Sequence, residues 1–143
     1  MKGAEQVRVF LDGRQVDAAG EESRIALSVT GRRFLRGESR YVSYDDGELI
    51  EGASIPTVLR IGASGIMLQR RGVVRWTQHF AAGEERTSNY RTPYGMFLIK
   101  TLTRRLRMRT FPDGREEAYF FYTLYVDGVR QSDNTLDIRI EPM

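Results

Sequence analysis

Four residues stand where an extended chain would carry polar chemistry into apolar surroundings: Gln78, Tyr90, Lys100 and Tyr122. Gln78 lies in VVRWTQHF. Alternation there puts Val74, Trp76, Gln78 and Phe80 on one face and Val73, Arg75, Thr77 and His79 on the other. The first face is the more apolar and is expected inward. A buried amide must find hydrogen-bond partners, so Gln78 marks either a structural network or a ligand contact. Tyr90 and Tyr122 carry phenols on large rings; such residues are ordinary core filler, or they line a partly polar cavity. In the long segment after Gly95, Lys100 shares a face with Met96, Leu98, Leu102, Arg104, Leu106 and Met108 if the strand is unbroken. An inward ammonium there needs a carboxylate, carbonyl or anionic ligand, or it snorkels to an open end.

The other face of that segment ends in Arg105, Arg107 and Arg109, and Arg91 precedes it. These form a candidate anion-binding surface, with Arg70, Arg71, Arg75 and Arg104 as neighbours and Tyr90 and Tyr94 for stacking. Alternating arginines are also what a solvated strand face looks like. Charge is uneven along the chain: residues 60–109 hold eleven basic side chains against only Glu84 and Glu85, while the net charge is +3.

No known catalytic or cofactor signature is present, and no catalytic residue or cofactor is assigned. The chain has no cysteine and a single histidine, His79, which rules out a thiol nucleophile and a multi-histidine metal site. Tyr44-Asp45-Asp46-Gly47-Glu48 is too short for a calcium loop and reads as a charged turn. His79 is expected exposed or at a rim.

The elements that position these residues have a period of two. Ile25, Leu27 and Val29 alternate with polar neighbours, as do Leu136, Ile138 and Ile140. Asp12-Gly13, Asp46-Gly47, Asp113-Gly114 and Asp127-Gly128 are expected turns, with further corners at residues 63–65, Arg71-Gly72 and Ala82-Gly83. Strands are expected near residues 5–12, 23–30, 40–45, 57–62, 66–70, 73–80, 86–92, 95–110, 116–126 and 134–141, with a bend in 31–38 and a loop in 48–54. So many sequential strands avoid unpaired edges by closing. The fold expected over residues 1–143 is one all-β domain, an antiparallel meander barrel of about 8–10 strands, wide enough for filler or one small ligand. No leader or membrane helix is visible, so a soluble cytoplasmic protein is expected.

Val42–Gly72 (VSYDDGELIEGASIPTVLRIGASGIMLQRRG), Gln78–Gly83, Tyr90–Gly95 and Tyr122–Val126, in that order and spacing, resemble the YwiB-like family of small bacterial proteins. The resemblance covers nearly the whole chain and implies a calycin-like, lipocalin-related barrel, with no activity to carry over. Three readings follow: a non-catalytic barrel binding a small molecule through Gln78, Tyr90, Lys100 and Tyr122; a nucleic-acid or polyanion binder using its arginines; and an enzyme with Tyr, Arg and Glu in the cavity. Oligomeric state is not legible.

Overall fold

Alternating side chains run through ten antiparallel strands. The computed structural model describes residues 4–47 and 52–143. Its strands are β1 (Glu5–Asp17), β2 (Glu22–Arg36), β3 (Ser39–Asp46), β4 (Ile55–Ile61), β5 (Ile66–Arg71), β6 (Arg75–Phe80), β7 (Glu85–Thr92), β8 (Gly95–Thr110), β9 (Glu116–Val126) and β10 (Val129–Pro142). Each pairs with its neighbours in the chain, and β1 pairs with both β2 and β10 to close the ring. The expected all-β meander barrel is what forms.

Two local readings give way. Asp12-Gly13 is not a turn: β1 runs straight through it, pairing Asp12 with Asp137 and Gly13 with Leu136. The turn comes later, where Gly20 adopts positive φ and Asp17 Oδ1 accepts from the amides of Ala19 and Glu21. The bend expected in 31–38 is confined to its end: β2 continues through Gly31 to Arg36, and the chain turns at Gly37-Glu38, with Gly37 at positive φ. A Cβ on Gly31 would come within 2.7 Å of the Ser43 carbonyl, so the bare backbone lets β3 approach there. Asp127-Gly128 does turn, with both residues at positive φ. The loop reading over 48–54, and Glu48 of the acidic stretch, fall partly outside the described residues.

In a meander, turns alternate between the two ends of the barrel. The end holding the β2–β3, β4–β5, β6–β7 and β8–β9 turns is packed shut. Val7, Val9, Val42, Leu59, Ile61, Ile66, Phe80, Phe120, Ile138 and Ile140 are buried in one cluster, and burial of each such large side chain contributes about 1.5–3 kcal/mol. Phe80 and Phe120 stack with ring centroids 4.7 Å apart. Across this end lies an ion cluster. The buried Arg33 donates to Glu116 Oε2 at 3.0 Å, to the Gly114 carbonyl at 2.7 Å and to Glu5 Oε1 at 2.7 Å. Arg40 pairs with the other oxygen of Glu116. Towards the opposite end the interior turns polar, with buried Thr57, Gln78, Thr101, Thr103, Ser132 and Asn134.

β8 is the strand that decides the placement of the cations. Pairing shifts by one residue between Thr103 and Arg105, so Arg104 is extra on β8. Such a bulge swaps the facing of everything beyond it. Ile99, Thr101 and Thr103 point inward before it, and Leu106 and Met108 pack on the core after it. The assumption of an unbroken strand therefore fails. The arginine half stays within the barrel wall, since pairing with β9 continues to Thr110 opposite Glu116. One join is thin: β6 and β7 share a single registered pair, Arg75 with Arg91. Trp76 spans it, its indole N–H donating to Ser88 Oγ at 2.8 Å and its ring meeting Tyr90 edge-on at 4.7 Å.

Candidate functional site

Inward positions of β1, β2, β5, β6, β9 and β10 leave a cavity of about 200 Å³ at the polar end of the barrel. Its walls include Leu11, Leu27, Leu68, Leu124 and Leu136, with Trp76. Gln78, Tyr122, Asn134, Arg70 and, from the end of β3, Asp46 supply polar groups deep in the barrel, and Arg14, Gln15, Ser23 and Thr135 supply others. Gln78 is only 3% exposed and donates through Nε2 to Thr101 Oγ1 at 3.1 Å. Tyr122 packs edge-on against Phe80 at 4.9 Å, and burial pushes its phenol up to about 12, so it stays protonated near neutral pH. Of the four residues expected to line a cavity, Gln78 and Tyr122 do so together. Tyr90 does not line the cavity; it is half-buried on β7 and meets the cavity only through Trp76, against which its ring is held edge-on.

Lys100 does not join them. It lies on the outer face, opposite Tyr125, with Nζ 4.3 Å from the centre of that ring. The bulge lies beyond it, and the apolar Met96 and Leu98 that share its face are themselves exposed. Lys100 is thus a surface cation resting on an aromatic. We expect Lys100→Ala to lower stability by only about 0.5–1 kcal/mol through the lost cation–π contact, and to leave any interior binding unchanged in a titration.

Arg70 is the residue that the sequence reading misplaced. Counted there among the surface arginines, it follows Ile66 and Leu68 in the inward series of β5 and is largely buried. The signal was available: period two runs unbroken through it. Arg70 forms a largely buried ion pair with Asp46, Nη2 to Oδ2 at 3.7 Å, longer than a hydrogen bond. Its Nε is buried with no hydrogen-bond partner among the described residues, as are Tyr44 Oη and Thr103 Oγ1. The phenols of Tyr44, Tyr90 and Tyr122 all sense its charge, although burial outweighs that and raises each one.

The other arginines form no single patch. Arg105, Arg107 and Arg109 flank an outer groove of about 920 Å³ with Tyr119, Phe10 and Arg139. Arg91 is near the opposite end of β8, across from Met96. Acids are interleaved in the groove: Arg109 faces Glu117, which faces Arg139, and Asp137 faces Asp12. The Asp137 carboxyl is raised from its ordinary 3.8, by burial first and then by Asp12 and Glu117. A raised carboxyl binds its proton more readily in the fold, so it detracts from stability as pH rises above 3.8. We therefore expect Asp137→Asn to stabilise the protein at pH 7 by about 0.2–0.5 kcal/mol, allowing for solvent screening. The gain should vanish in denaturant melts near pH 3.

His79 is exposed, as expected, and its imidazole is lowered by partial desolvation and then by Arg86 and Arg60. Among the described residues no cluster of three or more His, Cys, Asp or Glu is arranged to hold a metal. Glu116 lies at the shut end with Arg33 and Arg40, apart from Tyr122 and Gln78, so a Tyr–Arg–Glu constellation is not assembled around it.

Comparison with known proteins bears on the fold. A family described as a domain of unknown function, DUF1934, matches residues 9–138. The uncharacterised β-barrel protein YwiB of Bacillus subtilis is 21% identical over 92 residues. That alignment covers 64% of this chain and 63% of the relative, so it spans less than two thirds of the relative's length. The crystal structure of the B. subtilis ywiB protein superposes with a TM-score of 0.87 at 18% identity, covering 100% of this chain and 95% of that one.

Proposed function

The chain belongs to the DUF1934 family, whose members are YwiB-like β-barrel proteins of unknown function, and on that footing we propose that it is a non-catalytic barrel binding one small molecule inside its polar end. The observation that carries this is the cavity itself. It is concave, mostly apolar, and fitted with a few convergent polar groups, which is the usual make-up of a ligand site. Its volume of about 200 Å³ is below the roughly 300–1,000 Å³ of a drug-sized site, so the ligand is small. The outer groove supports a polyanion reading less well, because Glu117 faces both Arg109 and Arg139 and Asp12 and Asp137 also line it.

Gly13 offers a clean test. Its position lines the cavity, and a Cβ there would meet nothing closer than Leu136 Cδ1 at 3.5 Å. Gly13→Leu should therefore fill the cavity while the strand stays in place. A fragment screen by protein-observed NMR should find ligands whose shifts cluster at Leu27, Gln78, Tyr122 and Leu136, all lost in Gly13→Leu. Hits that map to the outer face, or that survive the substitution, would sink the reading.

A further inference from the structure

We propose that the ligand is a fragment-sized monocarboxylate, its carboxylate accepting from the Arg70 guanidinium and its apolar body packed among Leu11, Leu27, Leu124 and Leu136; this rests on the interior being a binding site. The polar atoms left over in the barrel select that chemistry. Arg70 Nε is a buried cationic donor with no acceptor among the described residues, and leaving such a donor unmet is costly. Asp46 sits near a different nitrogen of the guanidinium, Nη2, at 3.7 Å. Gln78 has already committed one amide N–H to Thr101. The Tyr122 hydroxyl remains protonated and so able to donate.

Donors of this kind favour a group that only accepts. An ionised carboxylate does so through two oxygens, and its hydrogen bond to a guanidinium is charge-assisted. An ammonium would meet the Arg70 charge, and the carboxylate in the lining, Asp46, is already ion-paired with Arg70. A neutral amide could accept once but gains no ionic contribution. The leucines seat the apolar body, and Arg14, which also lines the β1–β2 side, is already paired with Glu22, so a second carboxylate there would have to compete for it. The size of the cavity limits the whole molecule to on the order of ten non-hydrogen atoms.

Benzoate, benzamide and benzylamine share one ring and differ in this group alone. Titrated into the ¹⁵N-labelled protein, benzoate should bind inside the barrel, benzamide about tenfold or more weakly, and benzylamine weakest. Arg70→Met should weaken benzoate by about tenfold or more and leave benzamide unchanged. If Arg70→Met does not fold, Arg70→Lys retains the charge without the planar fork, and benzoate should still lose affinity in it. Equal binding of benzoate and benzamide, or indifference of benzoate to Arg70, overturns the carboxylate while leaving the cavity reading in place. If none of the three, nor any hit of the fragment screen, shifts an interior residue, both fall.

Discussion

Glu116→Ala should destabilise the protein by about 3–5 kcal/mol, an effect far larger than that of any surface ion pair. Glu116 is 5% exposed and accepts from two arginines on two other strands, Arg33 on β2 and Arg40 on β3. Removing it leaves Arg33, itself 8% exposed, with Glu5 and one carbonyl as its only acceptors among the described residues. The penalty comes from arginines left short of negative charge more than from the lost attraction, Arg33 keeping only the half-exposed Glu5 and Arg40 losing its carboxylate. That gives the prediction its sign in a double mutant. Arg33→Met with Glu116→Leu removes both charges and should recover most of the loss. Urea melts of the two single variants and the pair would show it as a coupling energy. A loss below about 1 kcal/mol for Glu116→Ala would mean that the cluster is solvated rather than buried.

Phe120→Ala should cost about 3–5 kcal/mol. Phe120 is fully buried on β9 and stacks on Phe80, which in turn supports Tyr122 edge-on. The substitution opens a void in the middle of the cluster, and strands fixed on both sides by their ladders have little freedom to collapse into it. Phe120→Leu keeps most of the volume and should cost well under half as much. The chain Phe120–Phe80–Tyr122 also links core to cavity. Any ligand resting on Tyr122 should bind more weakly to Phe120→Ala even where that variant remains folded. An undiminished affinity would show that the floor of the cavity does not depend on this stack.

Most of the fold could be read from alternation and turn residues. All ten expected strands exist, and the inward face of β6, Trp76, Gln78 and Phe80 with Val74 just before it, is the one its apolarity indicated. The errors have physical causes. Asp12-Gly13 resembles a hairpin turn, yet turn-forming residues permit a turn without imposing one, and long pairing with β2 and β10 kept the strand extended. The bulge at Arg104 leaves no mark in the residue types around it, so Leu106 and Met108 were grouped with Lys100 on one face. Whether Lys100 itself lay inside was decided by register with β9, where Tyr125 offered it an aromatic surface.

The candidate site was legible in half. Gln78 and Tyr122 stood out because polar atoms on an apolar face require partners. Arg70 did not, because a basic residue beside Arg71 looked like part of a charged surface, and the parity of Ile66, Leu68 and Arg70 was the better guide. Which strands bring Asp46, Arg70 and Asn134 to one cavity is a matter of closure, and no local pattern encodes it.

The most direct measurement is a high-resolution crystal structure of the protein grown with benzoate. The expected result is one benzoate inside the polar end, a carboxylate oxygen within hydrogen-bonding distance of the Arg70 guanidinium and the ring against Leu27, Leu124 and Leu136. A cavity closed by its own side chains, with Arg70 Nε bonded to a protein acceptor and no benzoate within the barrel, would contradict it.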